Sequence, residues 1–127
     1  MVQIKSQKIY SHRDLIAWQK AMDLTVLIYD LTKHFPKEEI YRLTHQLSRA
    51  AVSVPANIAE GHERSTAKDY AQFLAIAKGS LMEAETFLML AIRLNYLTDQ
   101  QTQSTFELIT EISKMISVLR KKLLYAS

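Results

Sequence analysis

Gly61 and Gly79 are the only glycines, and Pro36 and Pro55 the only prolines, in 127 residues. No other feature constrains the fold as much. Sandwiches and barrels need a turn residue about every 8–12 positions, far more than this chain supplies. Glycine-rich phosphate loops are also excluded, because the two glycines lie eighteen positions apart. Long helices with few breaks remain. Hydrophobic residues make up 48% of the chain and charged residues 23%, which is globular composition. A domain of this length buries roughly two-thirds of the surface its unfolded chain exposes, so it needs no disulfide or metal. It has no cysteine in any case, which removes thiol catalysis and thiolate metal sites. No apolar run approaches roughly 18 residues and no signal-peptide pattern opens the chain. The sequence therefore reads as one soluble cytoplasmic domain over residues 1–127, without a membrane span.

The chain breaks around 35–37, 61–66 and 97–99, and between these points apolar residues recur with helical period. That predicts helices over roughly 12–34, 37–61, 66–96 and 99–125. Ser11 is placed to cap the first, with Tyr10 and Leu15 as a hydrophobic staple. Pro36 suits the first turn of the second, and Gly61 is its expected left-handed terminator. Ser65 or Thr66 opens the third, and Thr98 with Gln101 forms a capping box on the fourth. Connections this short imply an all-α, antiparallel up-down-up-down four-helix bundle.

Helical wheels separate an ordinary helix from two unusual ones. In the fourth, Leu108, Ile109, Ile112, Met115, Ile116, Leu119 and Leu123 share one arc. The first carries two apolar stripes. Leu15, Trp18, Met22, Val26 and Tyr29 are read as the core stripe, while Leu24, Ile28, Leu31 and Phe35 are read as surplus. The third helix adds a spare flank of Ile76, Phe87 and Leu94 beside its main stripe. Surplus apolar surface is a liability on a monomer, so Leu24, Ile28, Leu31, Phe35, Ile76, Phe87 and Leu94 are the expected homo-oligomer interface.

Catalytic constellations do not assemble. Di-iron bundles need Glu-x-x-His pairs, but Ile9, Leu31, Arg42 and Ala59 stand three before His12, His34, His45 and His62. No nucleophile elbow surrounds Ser53. Glu83 and Glu85, two apart on a helix, diverge too far to share a proton. The expectation is a non-enzymatic protein without cofactor, metal or small-molecule substrate.

The second helix is the most unusual segment. Leu43, Leu47, Ala50, Ala51, Val54 and Ile58 form an apolar face. Beside it runs a polar row of Gln46, Arg49, Ser53, Asn57, Glu60 and Arg64, spaced by three or four. Pro55 sits within this stretch and frees the carbonyl of Ala51, so a kink or a split at Ser53 or Val54 is expected. The row reads either as a solvated face, or as an inter-subunit seam or ligand lining.

Net charge is only +3, but its basic part gathers at the ends. Residues 1–13 carry Lys5, Lys8 and Arg13, and residues 112–127 carry Lys114, Arg120, Lys121 and Lys122, with no acid in either stretch. Cations in a last helical turn also complement the helix dipole. Repeated around a ring of five, the charge reaches about +15, enough for salt-dependent attraction to RNA or DNA. Lys5, Lys8, Lys114, Arg120, Lys121 and Lys122 are the candidate nucleic-acid contacts.

The stretch YRLTHQLSRAAVSVPANIAEGHERST at 41–66 resembles the signature of proteins encoded by intervening sequences within 23S rRNA genes. DLIAWQKAMDL at 14–24 and FLAIAKGSLMEAETFLMLA at 73–91 extend the resemblance over almost the whole chain. It implies an up-down bundle assembling as a homopentamer. It also implies kinship with the accessory protein of diversity-generating retroelements, a basic barrel that binds a reverse transcriptase and nucleic acid. Arg49, Asn57, Glu60 and Arg64 occupy motif positions, whereas His62 and Phe87 depart from the usual pattern. The resulting expectation is an oligomeric interaction scaffold. The alternative is a basic RNA-binding ring acting with a partner protein.

Overall fold

The computed structural model describes His12 and residues 15–125. Helix α1 spans Ile16–Thr32, α2 Leu43–His62, α3 Ala67–Arg93 and α4 Asp99–Tyr125, with a 3-10 turn at Lys37–Glu39 before α2. There is no strand among the described residues. Each helix packs against two others in the cyclic order α1, α2, α3, α4, and the backbones of the diagonal pairs α1/α3 and α2/α4 stay apart.

Two of the expected caps are present. The Thr66 hydroxyl accepts the Asp69 amide at 3.1 Å. Thr98 accepts the Gln101 amide at 3.1 Å while the Gln101 side chain accepts the Thr98 amide at 2.9 Å, a reciprocal capping box. Ser11 and Tyr10 lie outside the described residues, and α1 starts after Leu15 without a side-chain cap.

The second helix differs from expectation at both ends. After Pro36 the chain makes only the 3-10 turn, breaks at Arg42 (φ −123°, ψ −109°), and begins α2 at Leu43. The Glu39 carboxylate meets this late start. Its Oε1 accepts the Leu43 amide at 3.2 Å, occupying a first-turn donor of α2. At the other end Gly61 is not a left-handed terminator, since no glycine has positive φ and α2 continues to His62. Gly61 is instead a point of close approach: a Cβ there would lie 2.8 Å from Phe73 Cβ and 3.2 Å from the Tyr70 carbonyl oxygen. The left-handed terminator is Asn95 (φ 64°), which ends α3. The Tyr96 amide donates to Ala91 O at 2.9 Å and the Asn95 amide to Ile92 O at 3.0 Å, a Schellman pattern.

Pro55 does not split α2, which runs through it from Leu43 to His62. The carbonyl it frees, Ala51 O, receives the Thr25 hydroxyl of α1 at 3.2 Å. The same hydroxyl lies 2.8 Å from Ala21 O in its own helix.

The core corrects the reading of α1. Leu24 and Ile28 are fully buried, and Leu31 and Phe35 nearly so. These four belong to the core of the protomer and are not an oligomer interface. Trp18 and Leu15 only lean on the core, and Met22, Val26 and Tyr29 are exposed by 44%, 63% and 49%. Wheel geometry finds both stripes, but neighbouring helices choose between them. Thr25 turns one flank of α1 towards α2, and Lys20 pairs with Glu111 of α4 at 3.0 Å on the other. The face between these flanks is that of Ala17, Ala21, Leu24 and Ile28, and it turns inwards. In α3, Leu74, Ala77, Leu81, Leu88 and Ala91 are buried; of the α4 arc Ile109, Ile112 and Ile116 are buried, while Leu108, Met115, Leu119 and Leu123 are only partly so.

Candidate functional site

The polar row of α2 divides into three parts. Near Pro55, Asn57 Nδ2 donates to the Ser53 carbonyl at 2.8 Å and to Ser53 Oγ at 2.9 Å. Ser53 Oγ also accepts the hydroxyl of Ser80, a buried residue of α3, at 2.8 Å. Ser53, Asn57 and Ser80 thus form a polar tie between α2 and α3, and Asn57 does not reach the carbonyl that Pro55 frees. Towards the end of α2, Glu60 pairs with Arg64 one turn later, and the Arg64 guanidinium lies 4.5 Å from the centre of the Phe73 ring. Ser53, Asn57, Glu60 and Arg64 are therefore held by their own helix or by α3.

Arg49 is the exception among the charged members of the row. It lines a cleft of about 370 Å³ between the first half of α2 and α3, and has no hydrogen-bond or ion-pair partner among the described residues. Ala50 and Ser53 share its wall, with His45 and Gln46 one turn earlier. Tyr41, 91% exposed, stands at the rim. From α3 come Glu83 and, one turn later, Phe87, which also rests on the core. Glu85 lines a different, more apolar groove with Met89, Ile92 and Phe106, so the two glutamates serve separate faces. Tyr41 and the role of Glu83 were not legible from the row itself. The available signal was the four-residue spacing of Glu83 and Phe87, which stacks them on one flank of α3.

The remaining interface candidates come from the third helix and the residue after it. Ile76 and Leu94 are exposed by 45% and 44%, and Phe87 is half-buried. Among the candidate nucleic-acid contacts, Lys114, Lys121 and Lys122 are exposed and unpaired among the described residues. Arg120 instead ties α4 to α3, its Nε donating to Ala71 O at 3.0 Å. Lys5 and Lys8 lie outside the described residues.

Two perturbed groups meet where the 3-10 turn faces the end of α3. The Tyr96 hydroxyl donates to Glu39 Oε2 at 2.7 Å. This bond, followed by the Leu43 amide, holds the Glu39 carboxyl below its usual value, and the same bond raises the Tyr96 hydroxyl above its own. Near the α2–α3 turn, burial raises Tyr70, whose hydroxyl finds no partner among the described residues and whose ring meets His62 edge-on at 5.8 Å. No three metal-ligating side chains converge among the described residues, and no described helix is long and apolar enough to cross a membrane.

No curated protein matches the chain. Among solved structures it is similar to a protein of unknown function from the S23 ribosomal protein family of Bacteroides thetaiotaomicron VPI-5482. The two share 29% identity and a TM-score of 0.75, over 82% of this chain and 98% of that one. A family model described as the 23S rRNA-intervening sequence protein matches residues 13–118. With four helices in the cyclic packing described and the α2 motif at its centre, the chain belongs to the 23S rRNA-intervening sequence protein family.

Proposed function

We propose that this protein is a non-enzymatic, cytoplasmic scaffold, an up-and-down bundle that assembles with copies of itself into a closed ring, with five as the expected number. The observation that carries this reading is the exposed apolar stripe of α1, in which Met22, Val26 and Tyr29 follow one another at helical spacing beside Leu15 and Trp18. A second apolar flank, Ile76, Leu90 and Leu94, lies on α3 and its C-terminal end. Because α1 and α3 are diagonal in the packing, these surfaces belong to different sides of the protomer. Two unlike apolar faces favour a head-to-tail contact, and such contacts close as rings when the rotation permits. Pairings such as Ser53 with Ser80, and Lys78 with Ser117 at 2.7 Å, support antiparallel neighbours.

Light scattering after size exclusion tests this. The expected mass is near five times the 14.6 kDa protomer, falling to one protomer in a Met22→Lys, Val26→Lys variant. A monomeric wild-type protein overturns the reading. RNA binding is the second reading, favoured by the three unpaired lysines along the second half of α4. Phosphate-driven binding weakens steeply with added salt and with Lys121→Glu, Lys122→Glu. Affinity indifferent to both sinks it.

A further inference from the structure

Arg49 and Glu83 enter one cleft from two helices, yet neither pairs with the other or with any other described residue. An arginine and a carboxylate held apart in a ligand-sized space offer an anion site and an acceptor site to the same molecule. Ser53 adds a hydroxyl at the cleft wall. Its Oγ lies 2.9 Å from Asn57 Nδ2 and 2.8 Å from the Ser80 hydroxyl, which hold it in place. Phe87 and Tyr41 contribute aromatic rings.

The occupant must therefore combine three things: an oxyanion for Arg49 and Ser53, a flat ring for the aromatics, and adjacent N–H donors for Glu83. The Watson–Crick edge of guanine presents N1–H and the 2-amino group side by side, matching the two oxygens of a carboxylate. Adenine and cytosine each offer one donor beside a ring acceptor on that edge, and uracil offers one between two carbonyls. Glu83 also repels a phosphate backbone running through the cleft, so the site suits one base and one phosphate better than a uniform polyanion. We infer that the cleft binds a guanine base with its adjoining phosphate. Glu83 accepts the base edge, Arg49 with Ser53 holds the phosphate, and the base stacks on the aromatic side chains. The ligand is either a free guanine mononucleotide or a guanosine within single-stranded RNA. Only the second source rests on the RNA-binding reading above.

Isothermal titration of the full chain with GMP, AMP and two five-nucleotide RNAs differing only in a central G or A separates these cases. The expected result is roughly tenfold or greater preference for the guanine ligand. Glu83→Gln, which loses one of the two acceptors, should bring the ratio close to one, and Arg49→Ala should weaken GMP and AMP alike. Both side chains are exposed, so circular dichroism melts of the variants should match the wild type. GMP binding without RNA binding assigns the site to free nucleotide and rejects the RNA reading alone. A guanine preference confined to the oligonucleotides assigns it to RNA. RNA binding equal for both sequences and unchanged by either variant, with no GMP preference, overturns the inference and leaves the RNA reading intact. No binding of any of the four ligands overturns both.

Discussion

Thr25 places its hydroxyl 3.2 Å from the carbonyl oxygen of Ala51, the group that Pro55 deprives of its helical donor. A proline inside a helix ordinarily leaves that carbonyl to water. Here the site faces α1, where Ala51 and Pro55 are both buried, so a side chain from the neighbouring helix must serve. Thr25 also reaches Ala21 O, and its single proton serves both acceptors.

This arrangement predicts coupling between α1 and the proline. Thr25→Val keeps the shape and removes the donor, so it should cost about 1 kcal/mol or slightly more. In a Pro55→Ala background, where residue 55 regains its own N–H, the cost should shrink. Urea denaturation of the four proteins in a double-mutant cycle measures the coupling, and equal costs in both backgrounds would rule it out.

Gly61 and Gly79 should respond oppositely to alanine. At Gly61 the new methyl meets Phe73 Cβ at 2.8 Å and the Tyr70 carbonyl at 3.2 Å, so α2 and α3 must separate. The expected loss is about 1–3 kcal/mol, despite the gain in helix propensity. Nothing lies within 4 Å of a Cβ at Gly79, so Gly79→Ala should stabilise α3 by about 0.5–1 kcal/mol. Thermal melts of the two variants should move in opposite directions.

The Glu39–Tyr96 bond should give stability a pH window. The carboxyl is lowered from 4.5 in the fold, so its contribution is present above that value and is lost as pH falls through the lowered one. The tyrosine is raised from 10.0, so its contribution is present below that value and is lost as pH rises through the raised one. Glu39→Gln should therefore lower the melting temperature at neutral pH and approach the wild type as the pH falls below 4.5 and through the lowered carboxyl value. A constant gap across that range would show that the charge of Glu39 is not what matters.

Asn95 should tolerate glycine but not alanine. Its φ of 64° suits glycine and asparagine, whereas a β-carbon without a local hydrogen-bonding group raises the strain. Asn95→Ala should cost about 1 kcal/mol and Asn95→Gly close to nothing. Equal melting temperatures would show the Schellman turn to be indifferent to its central residue.

The helices and two of their caps were legible because they depend on nearest neighbours: a threonine and the residue three further on, or apolar side chains every third or fourth position. The candidate cleft was half legible. Arg49 and Ser53 lie on one row of one helix, but Glu83 and Phe87 join them only after α3 folds against α2, across some thirty residues of chain.

Residue order alone makes the chain helical, sets where its breaks fall and gives α1 two apolar stripes. Which stripe becomes core is a matter of packing. Periodicity measures how apolar residues are spaced around a helix axis and carries no information about where the neighbouring helices stand. The Thr25 bond to the carbonyl freed by Pro55, and the Lys20–Glu111 pair, mark the rotation that α1 takes between its neighbours. That rotation buries Leu24 and Ile28 and leaves Met22, Val26 and Tyr29 facing outwards. Gly61 follows the same logic: a glycine near a helix end suggests a left-handed cap, until an adjacent helix comes close enough to forbid a side chain.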